Sequence, residues 1–88
     1  MMVLISSRTC SFSLRAEEIY DEVLRSEKKT MYRLDITVMS DEETARLRNF
    51  YPFTATPTTI AVRSGAVVSE VEGTQTDEEF RNWVAANS

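Results

Sequence analysis

The spacing of apolar residues changes twice between Met2 and Val38, and that double change restricts the possible folds more than any other feature of the chain. Met2-Val3-Leu4-Ile5 is a short apolar run closed by the polar group Ser6-Ser7-Arg8-Thr9, the pattern of a buried strand that runs into a loop. From Phe12 the spacing turns helical. Phe12, Ala16, Ile19, Tyr20, Val23 and Leu24 share one face, while Glu17, Glu18, Asp21, Glu22 and Arg25 occupy the other. Lys28-Lys29 suit the negative pole of this helix, and then Tyr32, Leu34, Ile36 and Val38 alternate with Arg33, Asp35, Thr37 and Met39 as a second strand. Strand, helix and strand in that order form a right-handed crossover with parallel strands when both lie in one sheet.

The remaining elements are marked by caps and breakers. Ser40-Asp41-Glu42-Glu43 is a capping box that starts a second helix, with Leu47, Phe50 and Tyr51 expected on one side. That helix must stop near Tyr51, because Pro52 disfavours helical backbone in the residue before it. After a loop from Pro52 to Thr56, the β-branched runs Thr58–Val62 and Ala66–Val71, separated by Arg63-Ser64-Gly65, predict an antiparallel hairpin ended by Gly73. Thr76-Asp77-Glu78-Glu79 is a second capping box, and Phe80, Trp83 and Val84 mark the buried side of a last helix. The predicted order is βαβαββα, without repeat, low-complexity stretch or linker.

Size and charge bound the function. The 88 residues suffice for one domain, expected to span 1–88, and a chain of this length buries only about 60–65% of its unfolded surface. A net charge of -4 leaves no basic field for nucleic acid or anionic lipid, so neither is an expected partner. The apolar run from Met1 to Ile5 is far too short for a signal-peptide core or a bilayer span, and the expected location is cytoplasmic. One cysteine and no histidine exclude an internal disulfide, a Cys-His or Ser-His-Asp catalytic arrangement, and a metal site built from several Cys and His ligands.

This element order, with Cys10 at the junction of the first strand and first helix, resembles the minimal thioredoxin fold as glutaredoxins use it. Phe50-Tyr51-Pro52-Phe53-Thr54-Ala55-Thr56-Pro57-Thr58 is similar to the thioredoxin segment in which a helix ends and a proline with a cis peptide bond opens the next strand. Thr9-Cys10-Ser11-Phe12-Ser13 resembles the glutaredoxin active-site motif, nearest to the monothiol form Cys-Gly-Phe-Ser, with Ser11 in place of the glycine. The resemblance covers essentially the whole chain and implies an α/β thioredoxin fold, a four-stranded mixed sheet flanked by three helices. Three departures stand out. Leu4 occupies the position of the buried thioredoxin aspartate, no tryptophan precedes the cysteine, and the double-glycine turn of glutaredoxins is reduced to Gly73-Thr74.

The chemistry that follows centres on the thiol. An ordinary cysteine titrates well above neutral pH, yet only its thiolate attacks a disulfide, so the protein must favour the anion. Cys10 in the first turn of a helix meets orphan amides and the positive end of the dipole. Arg8 is expected to add positive charge beside it, and Ser13, one turn on, to donate a hydrogen bond to it. The resemblance implies that the Thr56 backbone pairs with an extended substrate, that Pro57 presents its ring beside the incoming sulfur, and that Ser11, Phe12 and Phe53 shape the surrounding surface. Attack gives a mixed disulfide that an external thiol must resolve. Ser13 stands where dithiol relatives carry the resolving cysteine, either as the natural residue of a monothiol protein or as a replacement for that cysteine.

The expected activity is therefore thiol-disulfide oxidoreduction by a monomer, with oxidised proteins or glutathione mixed disulfides as substrates and a reductase or glutathione as electron donor. No bound cofactor is expected, and glutathione enters as a co-substrate. A non-catalytic protein-binding module on the same fold is the alternative. A glutathione-assisted dimer holding an iron-sulfur cluster is the third reading, carried only by the likeness to Cys-Gly-Phe-Ser proteins.

Overall fold

The computed structural model describes all residues, Met1–Ser88. The elements are β1 (Met2–Ser6), α1 (Ser11–Glu27), β2 (Tyr32–Asp35), a 3₁₀ turn (Ile36–Val38), α2 (Asp41–Phe50), β3 (Thr58–Arg63), β4 (Ala66–Glu72) and α3 (Asp77–Asn87). They form one four-stranded mixed sheet of order β2-β1-β3-β4, in which β1 and β2 are parallel and the β1/β3 and β3/β4 pairs antiparallel. This is the α/β architecture expected from the sequence.

Because β1 is a central strand, both its faces are covered, which is why it reads as an unbroken apolar run rather than an alternation. Met2 and Leu4 join Tyr20, Val23 and Leu24 of α1 and Phe80, Trp83 and Val84 of α3 on one side. Tyr20 stacks on Phe80 with ring centroids 3.8 Å apart. Val3 and Ile5 face the other way, toward Ile60 and Phe53, with Leu47 and Tyr51 packed alongside. Leu4 and Ile5 are wholly buried, and burial contributes roughly 1.5–3 kcal/mol for a side chain of this size. Sheet and helices together fix the C-terminal end of β1, where the candidate site lies.

Both capping boxes form as read. The Ser40 and Thr76 hydroxyls accept from the Glu43 and Glu79 amides, and each glutamate returns to the amide of its cap. The hairpin turns at Ser64 and Gly65, both at positive φ (53° and 78°), the two-residue geometry whose twist matches the flanking strands.

Two expectations are corrected. The second strand does not run to Val38: β2 stops at Asp35, because the Asp35 carboxylate accepts from the Thr37 amide at 2.9 Å and folds Ile36–Val38 into a 3₁₀ turn. A short acidic side chain here outcompetes the sheet ladder for the backbone donor. On α2, Leu47 and Tyr51, one helical turn apart, pack on the core, but Phe50, the last residue of the helix, lies off that side and is largely exposed. No helix is long and apolar enough to cross a membrane.

Candidate thiol site

Cys10 is the N-cap of α1, in extended conformation, and its carbonyl accepts the Leu14 amide at 3.1 Å. It is half-buried and free. The position puts the sulfur over the first-turn amides while leaving it reachable, one residue earlier than a place within the first turn.

The loop that carries it is braced from β2. The Cys10 amide donates to the Ser7 carbonyl at 3.1 Å, and the Ser7 amide donates to the buried Ser13 hydroxyl at 3.2 Å. Thr37 in the 3₁₀ turn accepts from the Arg8 amide at 2.8 Å and shares a 3.0 Å hydrogen bond with the Ser7 hydroxyl. The Arg8 guanidinium, expected beside the sulfur, lies instead on Asp35, with Nε 2.9 Å from the carboxylate. A carboxylate within hydrogen-bond reach holds a guanidinium more firmly than a thiol that must first ionise. Asp35 in turn is held below the usual carboxylate range, first by the Thr37 hydroxyl and amide and then by Arg8.

From the other side comes the loop before β3. The Thr56–Pro57 peptide bond is cis, Pro57 is buried, and the Thr56 carbonyl lies 3.5 Å from Sγ. As a thiol, Cys10 donates weakly to that carbonyl. As a thiolate it accepts from the Thr56 hydroxyl, the Ser13 amide and hydroxyl, and the Phe12 amide. These donors outweigh partial desolvation and lower the Cys10 pKa from an ordinary 9.0 to about 7. The thiol-to-carbonyl contact favours the neutral form, but S–H is a poor donor and one such contact does not offset four donors to the anion. Arg8 is not among the causes of the shift.

Ser13 thus sits where its hydroxyl serves both the Ser7 amide and the sulfur. Ser11 and Phe12 stand exposed next to Cys10, Phe12 at 66%. Phe53, expected on the surface around the site, is buried in the core beneath α2, with Arg48 over its ring. Leu4 is fully buried and places no acid under the cysteine. Apart from Cys10 the site offers no soft metal ligand, and no three His, Cys, Asp or Glu side chains converge anywhere in the chain.

The structure adds Asp35 and Thr37, which the sequence reading did not single out for the site, and gives a place to Gly73 and Thr74, which it did. Asp35 and Thr37 form the brace, and their Asp-x-Thr spacing, typical of a turn in which the side chain caps the backbone, was the available signal. Thr74 donates through its hydroxyl to the Phe12 carbonyl at 2.7 Å, and Gly73 donates through its amide to the Pro57 carbonyl at 2.8 Å. These bonds close a groove of about 670 Å³ between α1, the Thr56 loop and the start of α3. No local pattern marks that groove, because its walls are far apart in sequence.

No protein-family model matches the chain, and no curated protein matches it in sequence. Solved structures do. Thioredoxin from Plasmodium falciparum superposes with a TM-score of 0.77 at 17% identity, over 99% of this chain and 84% of that one. Thioredoxin from Aeropyrum pernix gives 0.80 at 16% identity, over 97% and 72%. Reduced Schistosoma mansoni thioredoxin gives 0.76 at 22% identity, over 99% and 77%. The fold is the thioredoxin fold.

Proposed function

We propose that the protein is a thiol-disulfide oxidoreductase acting through Cys10 alone. The observation that carries this reading is the convergence of four donors on a half-exposed sulfur, which brings its pKa to about 7 and so supplies thiolate at neutral pH. The Thr56 amide makes no hydrogen bond within the chain, which leaves it available to an extended substrate lying beside the sulfur. Such pairing by main-chain donors is how an added strand is held.

The Cys10 thiolate attacks one sulfur of a disulfide R–S–S–R′, forming Cys10–S–S–R and expelling R′–S⁻. The oxygen of Ser13 cannot act as the resolving sulfur, so an external thiolate R″–S⁻ attacks the R sulfur of the mixed disulfide, forming R–S–S–R″ and expelling Cys10 as its thiolate. Glutathione or a reductase thiol fills that role, and oxidised proteins or their glutathione adducts are the substrates. Ser11, Phe12, Thr56 and Pro57 line the approach. A monomer in the reducing cytoplasm suits a lone accessible thiol of this acidity.

The test is capture of the intermediate. Reduced protein mixed with a peptide disulfide should gain the mass of one peptide at Cys10, retain it, and lose it on addition of glutathione, whereas Cys10→Ser gains nothing. Absence of the adduct at neutral pH on a folded, reduced chain would leave the fold as a scaffold for protein binding.

A further inference from the structure

The groove beside Cys10 holds chemistry that disulfide exchange does not use. It starts at Phe12 and Thr56, both of which flank the sulfur, and continues past Arg15 and Ile19 to Gln75 at the approach to α3. Two groups along it lack partners. Arg8, Arg33, Arg46 and Arg81 each hold a carboxylate, but the Arg15 guanidinium makes no ion pair. Gln75 is 7% exposed, and its side-chain Nε2 has no hydrogen-bond acceptor although shut off from water. A buried amide donor without a partner costs on the order of 1–3 kcal/mol, which an incoming acceptor would recover. The terminal torsion of glutamine is broad and two-fold, so the carboxamide turns into the groove without rearrangement of the backbone. That backbone is itself held, the Gln75 amide donating to the Tyr20 hydroxyl at 2.8 Å.

The charge balance points one way. The one carboxylate in the lining, Asp77, is held by Arg81, with Nη2 3.3 Å away. The groove therefore presents a free cation and an unsatisfied amide donor against the apolar walls of Phe12 and Ile19, on a chain whose net charge is -4. We propose that it is a specificity subsite for an extended protein segment that carries an acidic side chain next to the disulfide attacked by Cys10. The carboxylate is received by Arg15 and Gln75. This rests on the oxidoreductase reading and names the substrate class of the same site.

The experiment compares three peptide disulfides identical except for one residue beside the cysteine, Asp, Asn or Lys, by the rate of mixed-disulfide formation at Cys10. Bis(2-hydroxyethyl) disulfide, uncharged and too small to fill the groove, reports whether the thiol exchanges at all. The Asp peptide is expected to react about fivefold faster than the Asn peptide, the effect of one partly exposed ion pair, and the Lys peptide slowest. Arg15→Gln should bring the Asp/Asn ratio to about one, and Arg15→Lys should restore part of it. Because the ratio cancels any change in the reactivity of the sulfur itself, it reads the subsite alone. Equal rates for the three peptides, with brisk exchange of the small disulfide, would overturn the subsite and leave the oxidoreductase standing. No exchange with any disulfide would overturn both. If Arg15→Gln slows glutathione disulfide but not the Asp peptide, the groove serves a tripeptide and the protein-segment assignment fails.

Discussion

Removing single donors from around Cys10 should raise the midpoint of its alkylation profile in a defined order. With a pKa of about 7 against an ordinary 9.0, roughly half of the folded protein carries thiolate at pH 7, compared with about one hundredth of an unfolded reference. That is a ratio of about 50. A more acidic thiolate is a weaker nucleophile, with a Brønsted coefficient of about 0.4–0.5, so two pH units of acidity reduce its intrinsic rate by about 6–10-fold. The folded protein should then react with iodoacetamide about 5–8-fold faster than the unfolded chain at pH 7, and slower above a crossing near pH ~8. The largest cause of the shift is the Thr56 hydroxyl, ahead of the Ser13 hydroxyl, so Thr56→Val should raise the midpoint more than Ser13→Ala. Stability carries the same signature. A depressed folded-state pKa stabilises the fold where the thiolate prevails, so stability relative to Cys10→Ala should rise as pH increases from about 7 to 9 and be lost as pH falls through 7. Stopped-flow alkylation across pH 5–10, with denaturant melts under reducing conditions, reads both effects. A folded midpoint near 9.0, or a larger shift in Ser13→Ala than in Thr56→Val, would refute the reasoning.

Three further outcomes follow. Arg8→Ala should leave the Cys10 midpoint in place and lower stability by no more than about 1 kcal/mol, since Arg8 serves Asp35 at the surface; a raised midpoint would show that its charge reaches the sulfur. Tyr20→Phe leaves the buried Gln75 amide without its acceptor and should destabilise by about 1–3 kcal/mol in a denaturant melt, whereas an unchanged midpoint would mean that another acceptor takes its place. Ser40→Ala removes one half of the α2 capping box and should cost about 0.5–2 kcal/mol with no change in Cys10 alkylation at pH 7.

How far each element was legible depends on how local its causes are. α1, α2 and α3 were readable because apolar spacing and the two capping boxes act within a few residues. β1 was readable because a strand covered on both faces must be apolar throughout. Ile36–Val38 were misread because alternation persisted through Val38 while one side chain, Asp35, captured the backbone donor that the sheet needed. Cys10 and Ser13 were legible as a spacing on a helix start. The destination of Arg8 was not, since a loop arginine has several acids within its reach and only the position of β2 selects Asp35.

By itself the sequence determined the element order, the buried sides of the first and last helices, and the placing of a lone thiol at a helix start, because periodicity, caps and residue chemistry are properties of neighbours along the chain. The tertiary structure decided what that thiol meets. Thr56 reaches Cys10 only because β1 and β3 pair side by side, Thr37 reaches Arg8 only because β2 lies on the other edge of β1, and Gln75 and Arg15 line one groove only because α3 packs against α1. Each of these placements brings together residues far apart in sequence, and sheet register and helix packing, not local preference, set distances of that kind.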